Sequence, residues 1–162
     1  MAWRASSPNI ANYWSPCDLM LKYMLTGVEA DFGPLRTEKD AIRLPNGLRL
    51  AYTKLRQEGR SYAYWNGKSW LGIYGGKLAE NITQALSRII MTDAMLLVDR
   101  ELRGVSRIAL TVHDELIQVA HKDQAQAVFD RTLAIMSAGR DWYRDIPLGA
   151  EGKIAANYAE AK

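Results

Sequence analysis

Three residues with the chemistry to act, His113, Asp114 and Glu115, interrupt the apolar run LTVHDELIQVA between Leu110 and Ala120. A carboxylate buried without a partner costs several kcal/mol, on the order of the known penalties for unpaired charge. Either a turn carries these side chains out to solvent, or a cation meets them. At the tip of a tight hairpin all three can leave the sheet. An acidic turn held by two apolar strands then makes a perch for a hard metal ion. Mg²⁺ takes oxygen ligands, commonly one or two carboxylates plus the phosphates of a substrate. The residues alone leave open an exposed polar turn with no ligand.

A second pattern precedes the first. Lys77, Asn81, Gln84 and Arg88 recur at spacings of four, three and four and so share one helix face, with no acid in that stripe. Amide and guanidinium donors in a row suit minor-groove acceptors and phosphate oxygens. A solvated helix face explains the same spacing.

Other motifs fail on context. Gly67-Lys68-Ser69 imitates the end of a phosphate-binding loop, but Tyr62 stands where its first glycine belongs. Asp31-Phe32-Gly33 imitates a kinase tripeptide without the rest of the kinase set. No cysteine and histidine spacing suggests zinc, and no serine or cysteine is singled out as a nucleophile.

The elements that position these residues follow from pattern. Asn9–Leu25 has helical spacing interrupted by Pro16, which predicts two short helices or one kinked helix ending before Gly27. Residues 28–40 read as a connection. Pro45-Asn46-Gly47 and Asn66-Gly67 separate strand-like runs and predict two hairpins between about 41 and 74. A long helix is expected from Lys77 to Leu102, buried in its second half and closed by Gly104. SRIALTV and ELIQVA predict a hairpin around His113-Asp114. Residues 122–138 predict a helix whose inner stripe includes Val128, Leu133 and Met136. A last strand is expected over about 147–154. The order predicts an α+β fold, antiparallel hairpins packed on a long buried helix and further helices, in a single domain over 1–162. Its segments are a helical first part (1–40), a hairpin insertion (41–74) and a core with the His-Asp-Glu turn (75–162).

Composition limits the classes. The 162 residues carry 48% hydrophobic and 24% charged side chains, ordinary for a globular protein. No apolar run reaches the ~20 residues of a membrane helix, and no secretory signal is visible at the N-terminus. The single cysteine, Cys17, excludes an internal disulfide and fits a reducing compartment. Net charge is +3, with eleven basic against seven acidic residues in 1–81. That permits phosphate contact without demanding it.

YGGKLAENITQALSRIIMTDAM followed by LTVHDELIQVA resembles the C-terminal end of family A DNA polymerases, the bacterial DNA polymerase one type, and most closely its phage-like branch. VHDE at Val112–Glu115 is similar to that family's last catalytic motif. ENITQALSR resembles its helix facing the primer–template minor groove. WRASSPNIANYW, LPNGLRLAY and IPLGAEGKIAANY extend the likeness over almost the whole chain. The resemblance implies the C-terminal part of a polymerase palm. Asp114 would be a catalytic residue and a ligand for Mg²⁺, with Glu115 an accessory carboxylate. His113 would steady the primer-terminal backbone, and Gln84 would bond in the minor groove. Asn81, Arg88 and Lys77 would add DNA contacts. The implied partners are primer–template DNA, a dNTP, and the remaining polymerase portion with the other catalytic aspartate and the fingers; the implied location is the cytoplasm of a bacterial host. No DxSxxE segment and no fingers helix is found, so the chain is expected to start after that helix and to be inactive alone. The alternative is a nucleic-acid-binding or interaction module of polymerase descent without catalysis.

Overall fold

The computed structural model describes residues 7–59 and 61–161 and has the expected α+β character. It divides into two compact units, Met1–Ser87 and Arg88–Lys162.

The first unit opens with helix α1, Pro8–Thr26. Pro8 lies in its first turn, where an amide N–H has no intrahelical acceptor and its loss costs little. Gly27 closes the helix at φ 76°, its N–H returning to the Tyr23 carbonyl. Pro16 does not split the helix, which continues through it as one element. Asn12, whose carbonyl Pro16 leaves without an amide donor, is exposed, so water can replace the lost bond. Cys17, Met20, Leu21 and Met24 form the buried stripe. Burial pushes the Cys17 thiol up to about 11, although a hydrogen bond from Tyr13 partly counters it. The thiol therefore stays protonated and packs as a small apolar group.

The segment 28–40, expected as a connection, contains two strands. β1 (Asp31–Phe32), β2 (Leu35–Glu38), β3 (Ala41–Arg43) and β4 (Arg49–Ala51) form an antiparallel sheet in that order. The strands are too short for an alternation signal, and tertiary bonds hold them instead. Buried Thr37 donates its hydroxyl to the Val28 carbonyl (2.9 Å) and accepts from the Ala30 N–H (3.0 Å). Glu38, also buried, pairs with Arg43 and with Arg49 (2.8 Å) across the β2–β3–β4 face. The Pro45-Asn46-Gly47 turn joins β3 to β4 as expected.

A second antiparallel sheet comprises β5 (Arg56–Glu58), β6 (Ser61–Trp65) and β7 (Trp70–Ile73). At its Asn66-Gly67 turn the Asn66 side-chain oxygen accepts from the N–H groups of Lys68 (2.9 Å) and Ser69 (2.7 Å). This is the local amide chemistry that makes asparagine a turn former.

Helix α2 runs from Gly75 to Glu101. Its start is sharply specified. The Asp18 carboxylate accepts from the Gly75 N–H at 2.7 Å, and a Cβ on Gly75 would fall 2.4 Å from the Trp14 carbonyl oxygen. Only glycine fits there. Nearly two turns further on, the Asn81 amide donates to the Tyr52 hydroxyl at 3.0 Å.

The second unit is built on the C-terminal half of α2. Ala94, Val98 and Ile135 form its centre, with Leu97, Leu102, Ile108, Leu116 and Met136 packed around them. Burying Val98 or Ile135 fully contributes about 1.5–3 kcal/mol before entropy is subtracted. The expected burial of this half of α2 holds over Ile89–Met95, all buried or half-buried, and fails at Leu96, which is 61% exposed. Strands β8 (Ser106–Val112) and β9 (Glu115–Ala120) pair as a hairpin, with an irregularity between Ile108 and Leu110. After a 3₁₀ turn at Lys122–Gln124 comes helix α3, Ala125–Met136. Its inner stripe is Val128, Thr132 and Ile135; Leu133 and Met136 sit only at its margins. Thr132 can be buried because its hydroxyl donates to the Val128 carbonyl and accepts from Gln118. The strand expected over 147–154 does not form. That stretch holds Pro147, Gly149 and Gly152 and no buried residue, so nothing offsets the cost of ordering it. A short helix, α4 (Tyr158–Ala161), follows. Among the described residues no helix is long and apolar enough to cross a membrane.

Burial pushes the Tyr52 phenol up to about 12, against the smaller opposing effect of the Asn81 bond. A raised folded-state value stabilises below the unfolded pKa, near 10, and that stability is lost as pH rises through 12. The chain should therefore lose on the order of 2 kcal/mol between pH 10 and 12 from this group. In denaturant titrations Tyr52→Phe should flatten that part of the profile; an unchanged slope would show that Tyr52 is not protonated by burial.

Candidate functional site

The β8–β9 ladder closes at Val112↔Glu115, so His113 and Asp114 are the whole connection. His113 has φ 52° and Asp114 does not share the positive value. A positive φ there is one that glycine adopts far more readily than a residue with a Cβ. Histidine in this conformation costs roughly 1–2 kcal/mol. Backbone held against its preference by a surrounding fold is a recurrent mark of functional sites.

The turn answers the question the sequence raised. His113, Asp114 and Glu115 are all exposed, clear of the apolar run that flanks them. Among the described residues none of the three side chains has a hydrogen-bond or ion-pair partner. Two adjacent carboxylates are thus presented with their oxygens unoccupied by protein donors. No group of three or more His, Cys, Asp or Glu side chains among the described residues could hold a metal ion. The donor set fits a Mg²⁺ ion that draws its remaining ligands from phosphate, water or another carboxylate.

The hairpin that carries the turn has two unlike faces. Ile108 and Leu116 lie against the unit's core. On the other face Leu110 pairs with Ile117 and Arg107 with Val119; Leu110 and Val119 are 46% and 52% exposed. The turn is therefore anchored from one side only.

The helix stripe is distributed less simply than its spacing suggests. Lys77, Gln84 and Arg88 are exposed on α2, as a contact face requires. Asn81 is half-buried, and its amide donor is committed to Tyr52. It ties the helix to the end of β4, and that leaves one amide N–H and the side-chain oxygen for any outside contact. The stripe also has an acid beside it. Glu80 binds Lys77 at 3.0 Å and accepts from Gln84 at 3.4 Å. Sequence spacing overlooked it because Glu80 lies off the stripe, whereas long side chains three and four residues apart still meet. Such an exposed pair is worth well under about 1 kcal/mol, so Lys77 and Gln84 can exchange it for another partner at small cost. The Arg88 guanidinium has no partner among the described residues.

Gln84 also borders a feature the sequence reading missed. A groove of about 630 Å³ lies between α1 and α2, with Ile10, Tyr13 and Trp14 on one side and Ala79, Thr83 and Gln84 on the other. Gly76 keeps it open beneath the rings, since a Cβ there would meet Tyr74 at 2.8 Å and Trp14 at 3.2 Å. The turn lies in the second compact unit and Lys77–Gln84 in the first.

The chain is similar to a phage DNA polymerase. It is 31% identical over 128 residues to the DNA polymerase of Bacillus phage SP02, an alignment covering 72% of this chain and 19% of that protein. The chain thus spans about a fifth of the length of the curated relative it matches. No family model matches the chain, and no solved structure matches it. This supports a polymerase relationship, and with it the resemblance noted in the sequence at its coarser level.

Since the Asp114 carboxylate has no hydrogen-bond or ion-pair partner among the described residues, Asp114→Ala should leave the thermal midpoint unchanged or raise it slightly by relieving repulsion with Glu115. A drop of several degrees on calorimetry would make the turn acid structural instead.

Proposed function

We propose that this chain is the C-terminal palm portion of a DNA-directed DNA polymerase of family A, of the phage-like branch. The observation that carries the reading is the β8–β9 turn, which holds Asp114 and Glu115 exposed and unpartnered behind a strained His113. The similarity to the phage polymerase supports it. So does the exposed side of the hairpin at Leu110 and Val119, which suits further packing by the remaining polymerase portion.

The reaction in this reading is attack of a primer 3′ hydroxyl on the α-phosphate of a dNTP, with pyrophosphate leaving. Mg²⁺ would supply stabilisation of charge on the attacking and leaving oxygens. Asp114 is the ligand in this proposal and Glu115 the accessory carboxylate one residue further along the strand. His113 lies beside Asp114 with its imidazole exposed, placed to donate to a backbone phosphate near the primer end. Gln84 offers an amide to minor-groove acceptors, while Arg88 and Lys77 contact phosphates. Asn81 acts through its tie to Tyr52, which sets the helix on which Gln84 stands.

With Asp114 and Glu115 as the local acids and no third ligand near them among the described residues, the chain by itself is expected to bind primer–template DNA without extending it. The same observation favours the second reading, a nucleic-acid-binding module of polymerase descent.

Both readings require phosphate-driven affinity. Binding of a labelled primer–template duplex should weaken linearly in log K against log salt. Arg88→Ala should reduce that slope by about one. Gln84→Ala should weaken binding severalfold and leave the slope as it was. Affinity that is absent, or insensitive to salt, would refute the proposal.

A further inference from the structure

The β5–β6–β7 sheet carries chemistry that the site above does not use. One face presents Tyr62, Tyr64, Leu71 and Ile73, with Tyr64 edge-on to the buried Tyr52 ring at 5.1 Å between centroids. Its other face presents Arg56, Ala63, Trp65, Trp70 and Gly72 in register. Trp65 and Trp70 are a cross-strand pair with ring centroids 5.7 Å apart and planes at 61°. The Arg56 guanidinium, ion-paired with Glu58 on the same strand, lies 3.4 Å over the Trp70 ring. That stacking holds one indole face and leaves the residue 39% exposed. Beside the indoles the surface is low, for a Cβ added at Gly72 would meet nothing within 4 Å.

Positive charge gathers at the same end of the sheet. Lys68 lies in the turn between Trp65 and Trp70. The Trp65 N–H donates to the Thr53 carbonyl at 2.8 Å, which brings the neighbouring Lys54 to that end too. Neither lysine has an ion-pair partner among the described residues. Residues 51–74 hold four basic side chains against one acid, a surplus equal to the net +3 of the entire chain. They also hold six of the fifteen aromatic residues. A recess of about 450 Å³, lined by Ala51, Thr53, Tyr64, Trp65, Asn66 and Gly67, opens beside Trp65.

Standing aromatic rings bordered by unpaired cations are what an unpaired strand of nucleic acid requires. Every base has a face to stack, and the phosphates need cations alongside. An apolar protein partner would gain nothing from Lys54 and Lys68. From this we infer that the Trp65–Trp70 face of β5–β7 is a second nucleic-acid contact, a stacking platform for single-stranded DNA. Trp70 and Trp65 take the bases, Lys54 and Lys68 accompany the backbone, and Arg56, held by Glu58, braces the Trp70 ring. The inference extends the nucleic-acid reading above from duplex to unpaired strand.

The test uses the intact chain with a twelve-residue oligo(dT) and an abasic oligonucleotide of the same length, which keeps the phosphates and removes the bases. Oligo(dT) should quench tryptophan fluorescence and bind at least about fivefold more tightly than the abasic strand, given the usual strength of base–aromatic stacking. Trp70→Leu should weaken oligo(dT) binding about tenfold, and Lys68→Glu should reduce its salt slope. Equal affinity for the two oligonucleotides, or no quenching, overturns the platform even if a variant fails to fold, because both are read on the unaltered chain. Duplex binding that responds to Gln84→Ala while oligo(dT) binding fails would leave the polymerase reading standing. The reverse result would remove that reading and keep the platform.

Discussion

A two-residue connection between β8 and β9 is the constraint on which the proposed chemistry rests. It obliges His113 to adopt a left-handed backbone, an expense of roughly 1–2 kcal/mol for a residue with a Cβ. The strands hold it there because Ile108 and Leu116 are packed with Ala94, Val98 and Ile135. Relaxing the turn by one residue would reverse which side chains face that core. The register of the hairpin and the position of Asp114 are thus one specification. An exposed carboxylate on such a rigid turn loses little entropy when it meets a cation, and that preorganisation distinguishes it from the other acids of the surface.

The helix that precedes the hairpin is placed by equally local means. Gly75 meets the Trp14 carbonyl at a distance no Cβ allows, while Asp18 takes the first free amide of the helix. Asn81, nearly two turns further on, then fixes the helix to Tyr52. These contacts orient Gln84, yet Glu80 holds Gln84 and Lys77 only by exposed bonds. The arrangement is a face with fixed backbone and exchangeable side chains.

The two long helices, the hairpins at Pro45-Asn46-Gly47 and Asn66-Gly67, and the strands around His113 were legible because each has a strong local signal. Periodicity marks the helices, and asparagine–glycine marks the turns. Residues 28–40 were not legible, since β1 and β2 depend on Thr37 bonding to Val28 and Ala30 and on Glu38 bonding to two arginines across strands. Pro16 misled in the opposite direction, because the broken bond falls on the wet side of α1. The stripe of α3 was read from apolar residues alone and so missed Thr132, whose burial is made tolerable by Gln118. At the candidate site, the exposure of His113-Asp114-Glu115 was foreseeable from two flanking strands. The strain at His113, the Glu80 tether and the Asn81–Tyr52 tie were not, for each depends on side-chain reach or backbone angle that spacing does not encode.

The account turns on Asp114 acting at a metal during nucleotidyl transfer, and a chimera tests that most directly. The segment of the Bacillus phage SP02 DNA polymerase that aligns with this chain would be replaced by it, and Mg²⁺-dependent primer extension measured. The account predicts extension by the chimera and a loss of at least about a hundredfold in kcat with Asp114→Asn, as expected when stabilisation of reacting oxygens is removed. A folded chimera that extends primers equally well with and without the Asp114 carboxylate would contradict it.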